Sequence, residues 1–243
     1  MIVWLLGALA LGVQPEIVLV GAPGLDDRAY LPLVQAMRAR GAEVSVVSFP
    51  CSGDSASLGQ AIVRSAGGRD VVLVAHGLGA TLALGVAAQL DVRRWVLLGP
   101  ILGPVDNAAI QSLRRSPIAG PVDLSVPMPL NDGIVQDLLL GPHWTEFTGC
   151  LAPALARELQ VWSVDGWPEL SLGQIGDPVW ISVGALDELA PVEVLLPASR
   201  RFPNRTVIRA GIGRMDRVDL DHLGLLLEPF SVRLAATAAV QGW

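Results

Sequence analysis

The stretch Val71-Val72-Leu73-Val74-Ala75-His76-Gly77-Leu78-Gly79-Ala80-Thr81 decides how the rest of the chain is read. Val71 to Ala75 is purely apolar, with no polar alternation. That profile predicts a strand covered on both faces, as in a parallel sheet. Thr81 to Leu90 is rich in small residues and predicts a helix. Between them lies a tight turn at Gly77. Small residues at Ala75 and Gly79 let strand and helix approach closely.

The same rhythm extends on both sides. Glu16 to Gly21 predicts a buried strand. Ala29 to Arg40 is helical in spacing, with Tyr30, Leu33, Val34 and Met37 on one face and Gly41 closing the end. Val44 to Phe49 predicts a second strand, Pro50 to Ser55 a turn, and Leu58 to Ala66 a helix. Trp95 to Leu98 predicts a fourth strand. The pattern then changes from Gly99 to Asp177, which is proline-rich and lacks a clean strand–helix rhythm apart from a helical stretch near Gly149 to Leu159. It is read as an insertion over about 100–177, lying across the sheet as a lid or cap. The rhythm resumes with a strand at Val179–Val183, a helix at Val192–Arg200, a strand at Thr206–Ala210 and a long terminal helix from Leu220 to Ala239. The expectation is an α/β fold: one domain over 15–243, with about six mainly parallel strands and helices on both faces. Reactive groups then sit at the carboxyl ends of the strands.

Composition narrows the function classes. Of 243 residues, 51% are hydrophobic and only 5% aromatic, which favours a large aliphatic core. The formal net charge is -6, and all 17 basic residues are arginine, without a run or stripe. Nucleic-acid binding is therefore not expected. Cys51 and Cys150 do not have metal-site spacing, and no metal or cofactor is expected. The preferred reading of the pair is two buried free thiols; one bridge is the alternative for an exported protein. The opening MIVWLLGALALG is shorter than the ~20 apolar residues a spanning helix needs. Its length suits a secretory leader, and Ala8-Leu9-Ala10 resembles a small-x-small cleavage site, yet no Arg or Lys precedes the apolar run. Two readings of 1–14 stand: a leader or membrane anchor of an exported or periplasmic protein, or a buried terminal element of a cytoplasmic one.

The central stretch resembles the nucleophile elbow of the α/β-hydrolase superfamily, G-x-S-x-G on a strand–turn–helix, with Ala75 at the first glycine and Gly77 at the serine. Pro50-Cys51-Ser52-Gly53-Asp54-Ser55 is similar to the turn that follows the family's second core strand. Gly184-Ala185-Leu186-Asp187-Glu188-Leu189-Ala190-Pro191 looks like the segment carrying the triad acid. Asp219-Leu220-Asp221-His222-Leu223-Gly224 looks like the loop carrying the histidine. The resemblance covers nearly the whole chain and keeps the order elbow, acid, histidine. It implies triad positions Gly77, Asp187 and His222, with no serine nucleophile. It also implies an oxyanion hole built from the Leu78 N–H and a donor on the loop Gly21-Ala22-Pro23-Gly24: Pro23, which has no N–H, or Gly24.

Glycine at 77 can form no alkoxide and no acyl-enzyme, while a strained turn suits it. With the hydroxyl gone, His222 oriented by Asp187 could activate a water, or the pair could simply stabilise its loop. The second reading is preferred. His76 is assigned to packing and His143 to the surface. Cys51 and Ser52 lie at the right end of the sheet but not on an elbow, and Asp54 reads as a turn cap. Trp144, Trp162 and Trp167 are consistent with an apolar pocket and equally with core or interface anchors. The resulting expectation is a catalytically impaired hydrolase-like protein that binds a protein partner or a small apolar ligand. The alternatives are a serine esterase or acyl hydrolase in which glycine has replaced a natural serine at 77, and a water-using His–Asp hydrolase.

Overall fold

The structure, a computed structural model, describes residues 15–49, 51–104, 118, 120, 122–123, 150–185, 187, 189–210, 222 and 224–242. The segment 1–14, Pro50, His143 and Trp144 lie outside the described residues.

The strands are β1 (Glu16–Val20), β2 (Glu43–Val47), β3 (Val71–His76), β4 (Val92–Leu98), β5 (Val122–Asp123), β6 (Cys150–Leu151), β7 (Val179–Gly184) and β8 (Arg205–Ala210). The helices are α1 (Leu31–Arg38), α2 (Ser55–Ala66), α3 (Gly77–Gly85), α4 (Pro153–Asp165), α5 (Val192–Ser199), α6 (Gly224–Leu227) and α7 (Pro229–Val240). Six strands form one sheet in the order β2-β1-β3-β4-β7-β8, and every pairing in it is parallel. The chain winds outward in one direction from β1 to β2 and in the other from β3 onward. The order therefore reverses between β1 and β3, the place where such sheets open a crevice at their carboxyl ends.

Period-two alternation sorts the strand side chains onto two faces. Val18, Val20, Leu73, Ala75, Leu97, Ile181 and Val183 point to one core, completed by Leu58 and Ile62 of α2, Ala80 and Leu84 of α3, Leu155 and Ala156 of α4, and Leu195 of α5. Ile17, Leu19, Val72, Val74, Val96, Leu98 and Trp180 point to the other, against Leu33, Val34 and Met37 of α1, Leu226 of α6 and Val232, Ala235 and Ala236 of α7. The continuous apolar runs read in the sequence are thus buried on both sides.

Several elements differ from expectation for local reasons. The helix expected over 29–40 begins as a 3-10 turn, Asp27–Tyr30, because Asp26 caps it by accepting from the Arg28 N–H. The terminal helix expected from Leu220 is interrupted: Pro229 has no N–H to continue α6, and Glu228 caps a new helix by accepting from the N–H groups of Phe230 and Ser231. Within the stretch read as an insertion, α4 starts at Pro153 and is packed into the core, with Leu155 and Ala156 fully buried. The half-buried Trp162 and Trp167 meet edge to face, with ring centroids 5.5 Å apart, and both pack against that core.

The free-thiol reading of the cysteines is overturned. Cys51, after β2, is joined to Cys150 of β6 by a disulfide, with Cα atoms 5.4 Å apart and 99 positions between them in sequence. The two loops meet only in the folded chain, so spacing could not reveal the pairing. A second tie lies close by: Glu158 of α4 accepts from the Ser55 N–H (2.9 Å) at the start of α2. Closing so long a loop is worth about 2–4 kcal/mol. Reduction with a thiol, or a Cys51→Ser/Cys150→Ser variant, is expected to lower the Tm by about 4–16 °C at 2–4 °C per kcal/mol. Differential scanning fluorimetry with and without reductant measures this, and identical melting curves would refute it.

Candidate functional site

Gly77 ends β3 and begins α3 in one step. His76 is still extended, whereas Gly77 has φ +53, and α3 runs on from it without a connecting loop. A left-handed backbone at this point suits glycine best. Gly79 is required for a second reason: a Cβ there would fall within the carbonyl of Gly21, so only hydrogen lets α3 lie against the β1 loop. Gly77 and Leu78 are buried in the first turn of α3, where backbone N–H groups have no partner within the helix.

Asp187 follows β7 and is buried. Its Oδ1 accepts from the N–H groups of Leu189 (3.0 Å) and Ala190 (2.8 Å), which fixes the carboxylate. The same carboxylate accepts from His222 Nδ1, at 2.9 Å to Oδ2 and 3.1 Å to Oδ1. In the neutral ring this leaves Nε2 without a proton, and Nε2 is the atom turned toward residue 77. A Cβ built on Gly77 would lie 2.6 Å from His222 Nε2, 3.1 Å from its Cε1 and 3.5 Å from the Ala22 Cβ. Three separate loops thus meet at one point, and the imidazole fills the space that a side chain at 77 would use.

The comparisons with solved structures give this arrangement its frame. The esterase from Thermogutta terrifontis superposes with a TM-score of 0.61 at 16% identity, covering 92% of this chain and 88% of that one. A lipase-esterase related protein from Clostridium acetobutylicum gives 0.65 at 13% identity over 93% and 94% of the two chains. The carboxylesterase CesB from Bacillus subtilis gives 0.61 at 14% over 96% and 85%. The chain has the α/β-hydrolase fold. No family model matches the sequence, and no curated protein matches it. In this fold Gly77 follows β3, Asp187 follows β7 and His222 comes after β8 in the chain.

Three features of the site were not found in the sequence. The first is Gly99, which ends β4 with φ +49 and donates its N–H to Ser182 (2.8 Å). A Cβ there would lie 2.6 Å from Asp187 Oδ2 and 3.1 Å from His222 Nδ1. Gly99 therefore gives the Asp187–His222 pair its room, whereas in the sequence it only opens an irregular stretch. The second concerns the β1 loop. Pro23 and Gly24 were the donor candidates, but they are the middle residues of a turn closed by the Leu25 N–H on the Ala22 carbonyl (3.1 Å), with Gly24 at φ +87. That pattern suits proline then glycine. The loop residue that lines position 77 is Ala22, one place earlier.

The third is a buried polar chain. The Ala22 N–H donates to the Tyr30 hydroxyl (2.6 Å). Tyr30 lies 3.2 Å from His76 Nδ1, and His76 Nε2 lies 3.2 Å from the His222 carbonyl. The two imidazoles pack with centroids 4.3 Å apart, tilted by 38°. His76 does more than pack: it joins the elbow to the His222 loop. Cys51, Ser52 and Asp54 are placed elsewhere. Asp54 caps α2 by accepting from the Ser57 N–H, and Cys51 is in the disulfide. Among the described residues no cluster of three or more His, Cys, Asp and Glu could hold a metal ion, and no helix is long and apolar enough to cross a membrane.

Two predictions follow from these contacts. Gly99→Ala is expected to lower stability by about 2–4 kcal/mol, from steric conflict with Asp187 and from the positive φ. Urea unfolding measures it, and a loss under 1 kcal/mol would show that about no conflict exists. Burial, and then the neighbouring His222 ring, hold His76 well below the ordinary imidazole range. The unfolded chain takes up a proton on this ring near about pH 6.5, whereas the folded chain resists it to lower pH. Stability from this group is thus present above about pH 6.5 and lost as pH falls, by up to about 1.4 kcal/mol per pH unit. A His76→Gln variant should show a flatter loss between pH 6.5 and 5.5 in denaturant titrations; equal slopes would refute the assignment.

Proposed function

We propose that this chain is a catalytically silent member of the α/β-hydrolase architecture that acts by binding, its target being a protein partner or a small apolar ligand. The observation that carries this reading is the contact at residue 77. Acyl transfer through this fold needs an oxygen nucleophile on the elbow, hydrogen-bonded to the imidazole. Here the elbow carries hydrogen alone, and His222 Nε2 sits 2.6 Å from where even a Cβ would be. The ring has settled into the space that the nucleophile and its attack trajectory require.

The Asp187–His222 pair then has a structural role. It ties the loop after β7 to the loop after β8 through a hydrogen bond buried from solvent, where such bonds are strongest. An engineered loss of a natural serine would leave the imidazole where a serine had held it. The close approach of His222 to Gly77 favours an architecture adapted to glycine.

The native chain is expected to show no covalent labelling by a fluorophosphonate probe and no hydrolysis of p-nitrophenyl butyrate above buffer. Labelling or turnover would overturn the reading. Gly77→Ser is expected to lower stability by about 1–3 kcal/mol, since the backbone there is left-handed and His222 must be displaced. A thermal-shift screen with apolar small molecules and size-exclusion chromatography with candidate partners then report what the silent site holds.

A further inference from the structure

We infer that Tyr30 is the positioning residue of this site: its hydroxyl holds the β1 loop and the His222 loop in a single polarised relay and takes up the N–H of Ala22, the residue whose Cβ lies beside position 77. The inference deepens the silent-site reading, on which its meaning for function rests.

The argument begins from the two ends of the chain of contacts, which are both backbone. At one end is the His222 carbonyl, which can only accept, so His76 Nε2 must carry the proton (3.2 Å). His76 Nδ1 is then an acceptor, and the Tyr30 hydroxyl must donate to it (3.2 Å). At the other end is the Ala22 N–H, which can only donate, and the Tyr30 oxygen accepts it (2.6 Å). Every bond direction is fixed, and each N–H and O–H donor in the relay has an acceptor. Burial keeps the Tyr30 phenol protonated far above its ordinary range, so it stays a donor. Tyr30 is 1% exposed and His76 1% exposed, so water has no access to substitute for either link.

The consequence concerns an oxyanion. In this fold a developing negative oxygen beside the elbow is met by backbone N–H groups from the start of the elbow helix and from the loop after the first strand. The loop residue at that place is Ala22, and its N–H already serves Tyr30. The Ala22 N–H is thus engaged by Tyr30, independent of the side chain at 77. The relay also accounts for the placement of the His222 ring: its backbone is held through His76 while Asp187 holds its Nδ1. Tyr30 reaches neither Gly77 nor the space above it, so its influence acts through Ala22 and His76.

The test uses the intact, oxidised chain. Long-range nitrogen–proton correlation spectra at pH 7.5 are expected to show His76 as the Nε2–H tautomer with an acceptor-type Nδ1. Tyr30→Phe keeps the ring and removes the hydroxyl. It is expected to speed hydrogen exchange at the Ala22 amide at least tenfold and to shift the His222 ring resonances, with cooperative melting retained. Finding His76 as the Nδ1–H tautomer overturns the proposal, as does a folded Tyr30→Phe variant with unchanged Ala22 exchange. Should Tyr30→Phe fail to fold, the tautomer of the native chain decides alone. Fluorophosphonate labelling of the native chain would sink the silent-site reading and leave the relay standing, so the two can fail separately.

Discussion

The close approach of α3 to the β1 loop, with only hydrogen at residues 77 and 79, is the constraint from which the site follows. β3 must end directly against the crevice where the winding reverses, and α3 must start there without a linker. A Cβ at Gly79 would meet the Gly21 backbone, and a Cβ at Gly77 would meet the His222 ring. Backbone cannot yield to such an overlap as a flexible side chain can. Once the elbow is this tight, the loops after β4, β7 and β8 are brought within contact distance of one another, and Gly99 is needed so that Asp187 and His222 fit between them.

The polar groups in this crevice are held at high stake. Asp187, His222, His76 and Tyr30 are all buried. An unpaired polar group in such surroundings costs about 1–3 kcal/mol, so a half-satisfied set would be worse than an apolar one. Here the carboxylate accepts from two backbone N–H groups and one imidazole, and the relay through Tyr30 and His76 ends on backbone at both ends. His222 Nδ1 is thus tied to the carboxylate, while its Nε2 faces residue 77.

Away from the crevice, the covalent link and the Glu158 contact fasten the α4 region to the start of α2. These fix the segment that returns the chain to the core before β7. The half-buried tryptophans of α4 and its following loop complete the packing there.

The sequence by itself determined the architecture. Continuous apolar runs such as Val71–Ala75 are legible because a strand buried on both faces has no polar alternation, and the glycines of the elbow are legible because a strand that turns at once into a helix needs them. Asp187 and His222 could be named from the sequence through the resemblance of their segments to those of the α/β-hydrolase superfamily, and the structure brings the two side chains together. Tertiary structure alone decided the rest. Cys51 and Cys150 lie 99 positions apart, so nothing local could pair them. Gly99 and Tyr30 look like a loop glycine and a helix-face aromatic until the strands are aligned, because their partners come from other loops. That Ala22 is the loop residue beside Gly77 depends on how a turn closes, which hydrophobic pattern does not encode. Pattern reports which residues leave water; which of them then touch depends on the register and winding of the sheet.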